Sequence, residues 1–131
     1  MPPLIRRVFP IVALTCFAAM IGTGIILPLL PVYATNMGAT GIWIGIIVAG
    51  YSVSRAIAMP FIGRLSDRMG RKFFMVLGLA LYTLLSLAYV WAQDVYQLSL
   101  VRFFHGIAAG MIMPVARAYI GDLSPKGEEA T

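Results

Sequence analysis

An all-α integral membrane protein with four transmembrane helices is the fold class this sequence predicts. Three observations carry it. Hydrophobic residues fill 60% of the 131 positions and charged residues only 11%, against roughly 25% charged in a soluble domain. The charges gather at the ends of apolar runs instead of covering one face of a soluble fold. Lys and Arg also fall on alternate connectors, as they do when a chain crosses a bilayer repeatedly.

A helix needs about 20 apolar residues to span the hydrocarbon core, and four stretches reach that length. The first runs from about Val8 to Tyr33 and the second from about Ile42 to Ile62. The third covers about Phe73 to Trp91 and the fourth about Tyr96 to Ile120. A cleaved signal peptide is the competing reading of the first stretch, with Arg6 and Arg7 as its basic start. That stretch is too long for a signal core, and Pro28 and Pro31 interrupt it.

Orientation follows from the basic residues. Arg6 and Arg7 precede the first span, Arg64, Arg68, Arg71 and Lys72 separate the second from the third, and Lys126 follows the fourth. The connectors 34–41 and 92–95 contain neither Lys nor Arg. Positive charge is retained on the cytoplasmic side, so both termini are expected in the cytoplasm of a multi-pass protein of the cell membrane. Tyr33, Trp43, Trp91 and Tyr96 then form an aromatic belt at the outer interface.

The net charge of +5 is thereby explained by topology, and nucleic acid is not an expected partner. Cys16 is the single cysteine, so no disulfide framework exists within the chain; it reads as a small buried apolar residue. No grouping of His, Asp, Glu or Cys offers a metal site or a nucleophile with its base. No catalytic residue, metal or cofactor is expected.

Polar groups within the spans need a partner or a wet cavity, because a charge at the bilayer centre costs at least ~2.5 kcal/mol. Arg102 sits about five residues, or roughly 8 Å, from the outer end of its span, within reach of the headgroups by snorkelling. Arg55 lies about 12 Å from the inner end of the second span, deep for such an escape. Arg117 occupies the last turn of the fourth span, where a cation offsets the helix dipole. His105, the only histidine, follows Arg102 by three residues and shares its face. It is either an inert hydrogen-bonded imidazole or a titrating group coupled to that guanidinium. The spans contain no acid, which weakens any proton relay built on this segment alone.

Small residues mark close helix packing: Gly41 and Gly45 open the second span, and Gly106 with Gly110 smooth one face of the fourth. Pro28, Pro31, Pro60 and Pro114 each free a carbonyl that neighbours or water must satisfy. Kinked and smoothed helices of this kind suit moving parts around a cavity.

The segment Gly63-Arg64-Leu65-Ser66-Asp67-Arg68-Met69-Gly70-Arg71-Lys72 places five charged residues in ten positions. It resembles the signature G-x-L-x-D-R-x-G-R-K of the major facilitator superfamily, found between that family's second and third helices, with all positions filled. Leu100-x-Arg102-x-x-His105-Gly106-x-x-x-Gly110 resembles the family's helix-four signature. Gly24-Ile25-Ile26-Leu27-Pro28-Leu29-Leu30-Pro31 is similar to helix one of the drug:proton antiporter branch. Members have two six-helix halves built from inverted three-helix repeats. The resemblance covers essentially the whole chain and implies a partial N-terminal six-helix bundle, an N-terminal fragment of a transporter ending in the loop toward helix five. The remaining C-terminal helices would be its partners, with the lipid bilayer and a small-molecule substrate.

The resemblance also implies roles. Gly63 would let the second helix pass close to a helix of the other half. Asp67, among Arg68, Gly70, Arg71 and Lys72, would cap a second-half helix and pair with a basic residue of helix four, for which Arg117 is the local candidate. That contact would act as a conformational latch; its structural alternative is a solvated turn whose cations only set topology. Arg102, with Gly106 and Gly110, matches residues associated with proton coupling or helix-four packing. His105 departs from the glutamine often found there. The first span lacks the acid that some drug antiporters use, which argues against a cationic-drug mechanism.

The function so implied is secondary active transport of a small solute by alternating access, as proton-coupled efflux. A sugar or metabolite symporter of the same superfamily remains an alternative. So does a small four-helix protein that works by oligomerising, although such exporters usually carry a glutamate in their first helix. A membrane enzyme and a degenerate half-transporter are the remaining readings.

Overall fold

The computed structural model describes residues 3–123 and contains four α-helices: α1 (Pro3–Asn36), α2 (Gly41–Met69), α3 (Arg71–Trp91) and α4 (Val95–Leu123). Residues 1, 2 and 124–131, including Lys126 and most of the terminal polar stretch, lie outside the described residues. Among the described residues there is no strand. Each helix is long and apolar enough to cross a membrane. The shortest, α3, has 21 residues, or ~31 Å at 1.5 Å per residue, which matches the hydrocarbon thickness.

The helices run past the apolar stretches that nucleate them. Backbone polar groups inside a bilayer have no water to bond, so the helix continues until it reaches an interface. Pro10, Pro28 and Pro31 sit inside α1, Pro60 inside α2 and Pro114 inside α4.

Two connectors use glycine for its freedom. Gly38, in the α1–α2 connector, has φ 81°. Gly70 alone joins α2 to α3, with φ 102° and ψ 129°, and its N–H closes α2 by donating to the Ser66 carbonyl. A side chain at that φ is strained by about 1–3 kcal/mol, so the glycine of the loop motif is what permits a one-residue reversal.

α4 is the centre of the bundle. It packs mainly against α2 and α3 and less against α1, while the other helix pairs touch only sparingly. Buried side chains form three layers along the bundle. Val12, Ile62, Phe74 and Val115 fill the end near Gly70. Ala19, Tyr82, Ala108 and Ile112 fill the middle, and Leu30, Ala34, Ile47 and Leu98 the opposite end. α4 supplies a residue to every layer.

Small residues let these helices meet, since lipid offers no hydrophobic drive for association. A Cβ built on Gly106 would fall onto Ser54 Oγ and the Tyr51 carbonyl of α2. Ser54 Oγ lies 2.7 Å from the Phe103 carbonyl and 3.0 Å from that of Tyr51, sharing its proton across the α2–α4 seam. On α3, a Cβ at Gly78 would stand 2.6 Å from Met111 Cβ. Gly41 and Gly45 have open space around them, so the first small-residue pair is not a contact within this bundle.

Candidate functional site

Two polar groupings stand out, one at mid-bundle and one at the end marked by Gly70. The first surrounds Arg102 and His105. The Arg102 side chain does not snorkel: it is 1% exposed, one of the largest fully buried side chains. Its guanidinium carbon lies 4.2 Å from the Tyr51 ring centroid, a cation–π contact strengthened by desolvation. Nη1 donates to the Tyr89 hydroxyl at 3.4 Å, and Nε has no hydrogen-bond partner.

His105 is fully buried. Its ring lies 4.0 Å, centroid to centroid, from that of Tyr82, and Nδ1 lies 3.0 Å from the Tyr89 hydroxyl. Arginine can only donate. With Arg102 donating to the phenol oxygen, Tyr89 is free to donate to Nδ1, which puts the ring proton on Nε2. That nitrogen has no partner. Tyr82 fastens the grouping to α1, donating to the Ala19 carbonyl at 3.0 Å while its oxygen lies 2.7 Å from Thr23 Oγ1. Arg55, half-buried, lines the same cavity as Arg102. Gly106 and Gly110 bring α4 onto this part of α2, with the Arg55 Cγ 3.7 Å from the Cβ position of Gly110.

The second grouping joins the α2–α3 turn to the end of α4. Arg71 lies between two carboxylates. Its Nη2 is 2.6 Å from Asp67 Oδ1, and its Nε bonds Asp122 Oδ2. Nη1 also reaches toward the buried Ser66 hydroxyl at 3.4 Å, and that hydroxyl donates to the Gly63 carbonyl at 2.8 Å. Asp67 thus meets Arg71, one helical turn along the same motif, and not Arg117. The Arg117 side chain is exposed on α4, and no ion pair joins it to Asp67 among the described residues. Arg68 and Lys72 are exposed, and Gly63 has nothing within 4 Å of its Cβ position.

Sequence reasoning passed over Tyr51, Tyr82, Tyr89, Ser66 and Asp122. A signal for the tyrosines existed: each falls well inside or near the end of an apolar run, where a phenol O–H must find a partner. Nothing local marked Asp122, which looked like part of a polar end. Among the described residues no grouping of His, Cys, Asp and Glu could hold a metal ion.

Residues 12–131 match the Major Facilitator Superfamily. An uncharacterized MFS-type transporter of Methanocaldococcus jannaschii is 37% identical over 126 residues, covering 96% of this chain and 32% of that protein. The quinolone resistance protein NorA of Staphylococcus aureus is 35% identical over 114 residues, covering 87% of this chain and 29% of that protein. The chain therefore spans about a third of the length of these curated relatives.

Proposed function

The chain belongs to the Major Facilitator Superfamily, a family of transporters and not of enzymes, and from that premise we propose that it forms part of a proton-coupled efflux transporter. The solute is small, the route is alternating access between two halves, and the remaining helices of the same transporter complete the pathway. The resemblance to a quinolone resistance protein supports a drug-like substrate. The protein crosses the plasma membrane several times with both termini in the cytoplasm, a placement supported by the basic residues at Arg64, Arg68 and Lys72.

The observation that carries this reading is the Asp67–Arg71–Asp122 bridge. Both carboxylates are 56% exposed, and exposed ion pairs contribute only about 0–1 kcal/mol each. A contact that weak is made and broken as helices move, which suits a latch better than a permanent staple. It ties the α2–α3 turn to the end of α4, so loosening it shifts the balance between conformations. Gly63 supports the same view, because its open surface on α2 lets a further helix approach closely. Arg102, which stays cationic, would act in coupling by its charge and not by giving up a proton, and the group that titrates would lie in the remaining helices.

The test is efflux from cells expressing the protein in full from its gene. Asp67→Asn is expected to abolish efflux while the amount inserted in the membrane stays constant. Unchanged efflux would sink the latch, and efflux insensitive to a protonophore would sink proton coupling.

A further inference from the structure

A cavity of about 490 Å³ opens between α1, α2 and α4. Its apolar wall includes Leu27, Val48 and Met113, and the rings of Tyr51 and Tyr82 flank it. Among the described residues its charged lining consists of Arg55 and Arg102, with no carboxylate. Arg102 stacks on Tyr51 at 4.2 Å, and Arg55 follows Tyr51 by one helical turn on the same face of α2. Both cations and the Tyr51 ring thus line the same cavity.

Among the described residues their charge has no carboxylate partner. The 1% exposed Arg102 leaves Nε without any hydrogen-bond partner. Among the described residues the acids Asp67, Asp94 and Asp122 all lie at helix ends; the nearest to Arg102 along the chain, Asp94, stands eight residues away, or ~12 Å. A buried cation at membrane depth requires an anion or water to offset its desolvation. The planar guanidinium fork matches a carboxylate, and the rings and methionine suit a flat apolar body.

We propose that this cavity binds an organic anion, an aromatic body bearing a carboxylate that lodges against Arg55 in the field of Arg102. The inference rests on the transport reading above and names the substrate class of that pathway. It departs from a cationic substrate, for which the cavity holds no acid among the described residues.

Three probes of one shape and different charge test it: 2-naphthoate, 2-naphthamide and 2-naphthylmethylammonium, titrated against the protein expressed in full from its gene and held in lipid nanodiscs. Naphthoate is expected to bind about tenfold more tightly than the amide, the factor of a charge-assisted hydrogen bond. Arg55→Gln should bring the two within about twofold and leave the amide Kd unchanged, while Arg55→Lys should restore part of the anion preference. The inference is overturned if the amide or the ammonium binds as tightly as naphthoate, as when an acid elsewhere in the protein neutralises the arginines. Equal weakening of all three probes by Arg55→Gln, or binding of none, overturns it as well. Efflux that remains sensitive to Asp67→Asn in the face of such a result leaves the transport reading standing and removes only this one.

Discussion

α4 and α1 are both long membrane helices, yet 56% of the most apolar stretch of α4 is buried within the bundle against 11% for α1. The more apolar helix is the less buried one. In water that order would be reversed, because burial follows hydrophobicity. In lipid the surroundings are as apolar as leucine, so helices meet through small residues and polar contacts. α4 has both kinds: Gly106 and Gly110 on one seam, Arg102 and His105 beside them, and Asp122 at its end. The polar contacts of α1 with the bundle are fewer: Thr23, the Ala19 carbonyl and the Tyr33 hydroxyl, which lies 3.1 Å and 3.2 Å from the Tyr89 and Ala92 carbonyls.

The contrast is sharpest at the glycines. Gly106→Leu drives a side chain into Ser54 and Tyr51 and is expected to lower stability by about 3 kcal/mol, at the upper end of overpacking penalties. Gly24→Leu on α1 meets nothing within 4 Å, so it adds no overpacking penalty and should not lower stability; the gain in helix propensity is at most about 1 kcal/mol. Unfolding by SDS titration in mixed micelles measures both. Similar losses for the two would break the distinction between the helices.

A smaller effect is expected from the hydroxyls. Tyr89→Phe removes the oxygen that both Arg102 and His105 contact and should cost about 1–3 kcal/mol, because a buried cation loses a partner. Thr23→Val removes one bond of α1 to Tyr82, whose hydroxyl keeps the Ala19 carbonyl. It should cost about 0.5–1 kcal/mol by comparison. The same titration orders the pair, and a larger loss for Thr23→Val would make α1 the more firmly held helix.

The smallest effect belongs to the exposed end of α4. Asp122→Asn leaves Arg71 with Asp67 as its one carboxylate partner among the described residues and should change stability by at most about 1 kcal/mol. The difference from wild type should shrink as salt is raised from 0.05 to about 1 M, where the Debye length falls to ~3 Å. A salt-independent loss would mean that Asp122 holds α4 through packing and not through charge.

Much of the fold was legible along the chain. The four helices follow from apolar length, and the place of Gly70 follows from the motif that contains it. The site was legible in part. Asp67 and Arg71 stood out through the charged loop motif, and Arg102, His105 and Gly106 as polar or small residues among apolar neighbours. Their partners did not, because Tyr51, Tyr82 and Tyr89 lie on other helices and look like ordinary aromatic residues of a membrane span. The expected pairing of Asp67 with Arg117 likewise depended on how far α4 turns between Arg117 and Asp122, which no spacing between helices reveals.

By itself the sequence determined that this protein lives in a membrane, crosses it four times over the described residues, and turns sharply at a charged loop. Those features depend on local quantities: the length of an apolar run, the position of a charge, the absence of a side chain at Gly70. Only the tertiary structure decided which helix sits at the centre, which arginine is buried, and which acid Arg71 holds. Those outcomes depend on the rotation of each helix about its axis. In lipid that rotation is set by packing and hydrogen bonds between distant residues, and hydropathy does not encode them.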